Sequence, residues 1–259
     1  MTNRVALITG GSRGIGAAVA EHLAADGFDI ALSYASSATR AEELAEKLRK
    51  TGRKVLTIQA DGASVEGNRK VVAETVKHFG RLDTLVCNAG AYPYTSIENA
   101  TLEQIEQTLN LNLRGVMVET HEATQHMQKG GRIILMGSAF AGRAPFGGLS
   151  IYSATKAGLR GFAQGAARDL APKGITINVV EPGPIHTDMN PSHTEGAAVL
   201  AGFVATGKYG AVADIARAVS FLASPDAGYI TGSPACRWWP FSVKNAPALA
   251  AYWVAKAGL

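Results

Sequence analysis

Thr9-Gly10-Gly11-Ser12-Arg13-Gly14-Ile15-Gly16 stands between the apolar run Val5–Ile8 and an Ala-rich stretch that continues to about Asp26. Strand, glycine turn and helix in that order open a dinucleotide-binding unit. Glycines let the chain turn sharply and bring backbone N–H groups close to a pyrophosphate, while the helix N-terminus adds favourable partial charge. Gly10, Ser12, Arg13, Gly14, Ile15 and Gly16 are therefore expected to hold the phosphates of a dinucleotide.

Outward from this turn, short apolar runs alternate with helical-period segments. Val5–Ile8, Ile30–Tyr34, Val55–Gln59, Leu82–Cys87, Ile133–Met136 and Ile175–Val180 read as strands. They show little polar alternation, as strands of a parallel sheet covered on both faces do. Between them, Thr39-x-x-Glu42 and Thr101-x-x-Gln104 have capping-box spacing, and Val72, Val76 and Phe79 share a face before Gly80. The pattern predicts one doubly wound α/β domain with a mostly parallel central sheet flanked by helices. Pro182–Gly210 lacks a clear period and is expected to form a lid.

In NAD-binding units an acidic residue about 20 positions beyond the glycines takes the ribose 2′-hydroxyl. Here the end of the second strand reads Ser33-Tyr34-Ala35-Ser36-Ser37. No carboxylate is present to repel a 2′-phosphate, and Arg13 offers a planar, permanent cation suited to one. NADP(H) is the expected cofactor, with Tyr34 and Ser36 beside it.

The glycine turn, Asn88-Ala89-Gly90, Ser138, Tyr152-x3-Lys156 and Pro182-Gly183 follow one another in the order seen in short-chain dehydrogenases/reductases, which this chain resembles from Val5 to Gly232. The resemblance implies a Rossmann fold and hydride transfer between nicotinamide and a carbonyl or alcohol. It implies that Asp61, followed by Gly62, meets the adenine, that Asn88, Ala89 and Gly90 support the ribose, that Pro182, Gly183 and Ile185 contact the cofactor, and that Thr187 reaches the carboxamide or pyrophosphate. Asn112 matches the family's asparagine that holds a water relaying protons to the lysine.

Tyr152 and Lys156 lie four apart on an expected helix, so both project from one face. A lysine cation beside a phenol favours the phenolate and is expected to lower the tyrosine pKa from about 10. Ser138 and Tyr152 would hold the substrate oxygen, with Tyr152 giving the proton, and Tyr152 and Lys156 would also touch the cofactor. Three positions depart from the family pattern. Ser138 precedes Tyr152 by fourteen residues, one more than usual, Cys87 replaces the first Asn of the common Asn-Asn-Ala-Gly turn, and Gly62 stands where Val is common.

Other chemistries find less support. His121-Glu122 and His126 resemble a zinc motif, but histidines five apart diverge by about 140° around a helix, and no metal is expected. Gly137–Gly142 contains a serine without the G-x-S-x-G elbow of hydrolases. The 259 residues carry 25 basic and 21 acidic side chains without a long single-sign run, which argues against nucleic acid as a partner. Hydrophobic residues at 47% and charged ones at 18% are ordinary for a globular chain. No stretch has the ~18 apolar residues of a membrane span. The N-terminus lacks a signal-peptide pattern, and neither Cys87 nor Cys236 belongs to a framework, so a cytoplasmic protein is expected.

The leading expectation is an NADPH-dependent ketoreductase, similar to 3-oxoacyl-carrier-protein reductases and bacterial carbonyl reductases. Tyr92, Tyr94, Phe140, Phe146 and Met189 would line a pocket for an apolar small-molecule substrate. Gly183–Pro191 and the overall pattern also resemble a bacterial member described as a cyclic-di-GMP-binding mediator of biofilm dispersal, in which the fold serves as a nucleotide-binding sensor. The expected domain covers 1–232, with 233–259 an atypical tail. Pro234 and Pro240 make a long last strand unfavourable, while Leu249, Tyr252, Trp253 and Ala257 mark a helix-like face. A homodimer or homotetramer is expected, the dimer through helices around Thr101–Met127 and Ser153–Leu170 and the tetramer weakened by the tail.

Overall fold

A computed structural model describes residues 3–237. Its strands are β1 (Val5–Ile8), β2 (Asp29–Tyr34), β3 (Val55–Gln59), β4 (Thr84–Cys87), β5 (Arg132–Met136), β6 (Thr176–Glu181) and β7 (Pro234–Arg237). They form one parallel sheet in the order β3-β2-β1-β4-β5-β6-β7. The order reverses between β1 and β4, and open α/β sheets bind ligands at the carboxyl ends of strands flanking such a switch.

The helices are α1 (Gly14–Ala25), α2 (Ala38–Arg49), α3 (Val65–Phe79), α4 (Leu102–Leu109), α5 (Gly115–Thr124), α6 (Ser150–Leu170), α7 (Glu195–Gly202) and α8 (Val212–Ala223). Successive residues of β1 project to opposite faces, and both faces are buried. Ala6 and Ile8 pack into a core with α1, α2 and α8. Leu7 packs into a second core with Val71, Val116, Leu159 and Ala163 of α3, α5 and α6. Complete removal of these side chains from water, at ~25 cal/mol per Å² of apolar surface, is the dominant force holding helices to the sheet.

Thr101 caps α4 through the expected reciprocal box with Gln104, and Gly80 ends α3 in the left-handed region at φ 76°. The Thr39-x-x-Glu42 box is not formed. Ser37 takes the N-cap position of α2, and Glu42 instead pairs with Arg49. The lid stretch is more regular than expected, because α7 folds within it.

β7 adds a seventh strand to the six expected. It is short and pairs with β6 through a register irregularity between Val180 and Glu181. Pro234 is tolerated because β7 lies at the sheet edge, where a missing donor costs no ladder bond. The helix-like face at Leu249–Ala257 lies outside the described residues.

Candidate active site

A cavity of about 520 Å³ opens over the carboxyl ends of β1, β4, β5 and β6. Along it lie Gly10, Ser12, Arg13, Gly14 and Ile15 of the glycine turn, Tyr34 and Ser36 after β2, and Asp61 and Gly62 after β3. Asn88, Ala89 and Gly90 after β4 and Pro182, Gly183, Ile185 and Thr187 after β6 complete the expected set, with Ser138, Tyr152 and Lys156 at the other end. Two expected residues, Gly16 and Asn112, stand behind the wall.

Gly16 acts through packing. A Cβ there would lie 2.4 Å from the Gly10 carbonyl oxygen and 2.6 Å from Asn88 Nδ2. Gly10 (φ 62°) and Gly14 (φ 56°) occupy the left-handed region that side chains disfavour. The Asn88 amide donates to the Thr9 and Gly10 carbonyls at 3.1 and 3.0 Å, tying the turn after β4 to the glycine turn.

Asn112 lies in a π-helical segment, Asn110–Arg114, joining α4 to α5. Its amide donates to the Ala91 carbonyl at 2.8 Å, and its Oδ1 accepts from the Ala91 N–H at 2.9 Å. A wider helical turn at a functional position commonly serves to aim a side chain. Here it fixes the loop that carries Gly90.

Ser138 caps the 3-10 turn Ala139–Ala141, accepting from the Phe140 N–H at 3.2 Å, and its hydroxyl lies beside the Tyr152 phenol. The one-residue-longer spacing is thus absorbed by the loop between them. Lys156 is buried in α6, and its ammonium donates to the Met136 carbonyl at 2.7 Å. Burial pushes Lys156 down to about 8. The expected lowering of Tyr152 is not found: burial pushes its pKa up, with Ser138 opposing. Lys156 Nζ sits 5.8 Å from the tyrosine ring centroid, engaged by Met136, so desolvation of the phenol outweighs the cation in the free protein.

At the outer rim, Asp188 of the lid lies 3.8 Å from Arg13 and 2.5 Å from Arg40 of α2. Arg40 and Glu119 were missed by motif reading. Arg40 belongs to no glycine motif. Glu119 was legible, since Val116, Glu119, Thr120 and Ala123 follow the buried-face spacing of α5.

Of the expected aromatic pocket, Tyr92, Phe140 and Met189 line the cavity, and Tyr92 meets Tyr152 edge-on with centroids 4.9 Å apart. Tyr94 and Phe146 do not line it. They face each other at 6.3 Å, and Phe146 also packs against Phe140 and Phe203 in the lid. Among the described residues no His, Cys, Asp and Glu cluster could hold a metal. No described helix is long and apolar enough to cross a membrane.

Residues 4–198 match the family described as short chain dehydrogenase. The chain belongs to that family. A hydroxynaphthalene reductase of Aspergillus fumigatus is 37% identical over 255 residues, covering 92% of this chain and 93% of its own. A cyclic-di-GMP-binding biofilm dispersal mediator of Escherichia coli is 38% identical over 232 residues, covering 90% and 94%. A short-chain dehydrogenase of Burkholderia cenocepacia, solved in complex with NADP, superposes with a TM-score of 0.88 at 44% identity, covering 89% of this chain and 94% of that one. As a short-chain dehydrogenase this chain is an oxidoreductase with a Rossmann-type sheet, as the ordered motifs implied.

Proposed function

We propose that this short-chain dehydrogenase is an NADPH-dependent carbonyl reductase. The observation that carries the reading is the convergence of Ser138, Tyr152 and Lys156 at one end of the cavity that begins over the glycine turn. NADP(H) bound along the cavity supplies or accepts the hydride. Its fit rests on this chain's own residues: a turn stripped of side chains at Gly10 and Gly14, no carboxylate after β2, and the guanidinium groups of Arg13 and Arg40 at the rim.

Ser138 and Tyr152 hold the carbonyl oxygen, and Tyr152 releases its proton to that oxygen as negative charge develops there. Lys156 opposes the charge left on the phenol. Asn112 positions this end by clamping Ala91, and Asp61 stands beside the adenine position. Tyr92, Phe140 and Met189 favour a ketone with an apolar body, in line with the aromatic substrate in the name of the Aspergillus relative.

The expected domain of residues 1–232 extends through β7, which joins the same sheet, and the free, buried thiol of Cys87 suits a reducing cytoplasm. The exposed apolar Ile97, Leu102, Leu109 and Met117 support a homo-oligomer through the α4–α5 side.

The test is NADPH oxidation against β-ketoesters, diketones, quinones and cyclic ketones. Tyr152→Phe is expected to lower turnover at least ~100-fold while NADPH still binds, and near-normal turnover refutes the assignment. The resemblance to the dispersal mediator makes a sensor the second reading. Turnover of no carbonyl together with saturable binding of cyclic-di-GMP would establish it.

A further inference from the structure

Glu119 is a buried carboxyl group that the proposed chemistry leaves unused, and it lines the floor of the dinucleotide cavity. The other buried carboxylates have evident anchors: Glu181 pairs with Arg160, and Asp29 accepts from Asn3 and the Lys54 N–H. No described Lys or Arg makes an ion pair with Glu119; its hydrogen-bond partner is the Thr9 hydroxyl, and the Cys87 thiol lies beside it. Thr9 Oγ1 accepts from the Asn88 and Ala89 N–H groups at 3.2 and 3.3 Å. With both lone pairs so used, its own proton points to Glu119 Oε2 at 3.3 Å. Glu119 therefore faces a hydroxyl donor and a thiol, surroundings suited to a carboxylate, in a place where no described Lys or Arg pairs with it.

We propose that Glu119 makes this site discriminate the oxidised from the reduced dinucleotide, its carboxylate on the cavity floor stabilising the cationic nicotinamide ring. This rests on the cofactor reading above. NADP+ and NADPH carry the same phosphates and differ by the charge of the ring, so a nearby fixed negative charge favours the oxidised form and with it hydride release. The groups facing Glu119 are Cys87 at the end of β4 and Thr9 after β1, with Lys156 of α6 beyond Cys87. From α3, Arg69 reaches α5 at Glu122 on the outer surface. Burial lifts Glu119 to about 7 and Cys87 well above its ordinary value, so Glu119 changes charge in the neutral range while the thiol stays protonated.

The experiment measures dissociation constants of NADP+ and NADPH by fluorescence between pH 6 and 8. Titration of the 2′-phosphate cancels in their ratio. The unmodified chain is expected to shift its preference toward NADP+ by at least ~3-fold over this range, with a midpoint near 7. Glu119→Gln should lose that component and retain only the onset of the Lys156 titration at the alkaline end. Cys87→Ala removes the neighbouring thiol that opposes the upward shift of the carboxyl group, and should move the midpoint to higher pH. A pH-independent ratio in the unmodified chain, or an unchanged component in Glu119→Gln, overturns the proposal while leaving the cofactor reading intact. Failure to bind either dinucleotide overturns both.

Discussion

Replacing Lys156 by Met is expected to make the cofactor-free protein more stable at neutral pH while abolishing carbonyl reduction. The ammonium is buried, and its pKa falls from 10.5 to about 8, which corresponds to roughly 3 kcal/mol of unfavourable burial. Between pH 8 and 10.5 the unfolded chain binds this proton and the folded chain does not, so folding stability rises with pH through that window. Below pH 8 the full cost is present. Methionine has a similar reach and no charge, but it leaves the Met136 carbonyl without the donor it now has at 2.7 Å, a loss of about 1 kcal/mol. The net gain is about 2 kcal/mol at pH 6 to 7, or about 4 °C in Tm for a chain of this size. Calorimetry of both proteins from pH 6 to 10 measures it. The gap should shrink above pH 8 as the unmodified protein recovers up to ~1.4 kcal/mol per pH unit. A variant that is less stable at pH 7, or a gap that stays constant to pH 10, refutes the claim that this lysine is held at a cost for function.

Gly16→Ala should weaken NADPH binding at least ~10-fold and cost about 1 to 3 kcal/mol of stability, since its Cβ would meet the Gly10 carbonyl at 2.4 Å. Isothermal titration and urea unfolding report the two effects, and unchanged affinity would show that the turn tolerates the shift. The unmodified enzyme should prefer NADPH to NADH in kcat/KM by at least ~10-fold, about 1.4 kcal/mol. Arg13→Ala and Arg40→Ala should each narrow the preference, and equal use of both cofactors would contradict the phosphate assignment. Light scattering should find a dimer both in the full chain and in one cut after Gly232, with the tetramer weakened or rearranged. A stable tetramer of the full chain would contradict this.

The sequence by itself made six of the seven strands and most helices legible and named a candidate chemical set, while β7 and α7 were not foreseen. Strands such as Val5–Ile8 are apolar without a break because both sheet faces are covered, and the Gly80 and Thr101–Gln104 helix ends follow from backbone requirements spanning only a few residues. The glycine turn and the Tyr152–Lys156 pair were equally local, so their spacing was enough to place them at a site. Tertiary structure alone decided what meets across long separations. Arg40 reaches Asp188 across 148 residues, and Thr9 reaches Glu119 across 110, because the strand order brings those loop and helix positions to one sheet edge. It also decided the depth of each group. Helical periodicity could assign Glu119 to a buried face, and the Tyr152–Lys156 spacing suggested a lowered tyrosine pKa. The sign at Tyr152 depended on how much water the packed site excludes and on Lys156 turning to the Met136 carbonyl. Desolvation is a property of the assembled core, summed over neighbours from many parts of the chain, and no short stretch of sequence contains it.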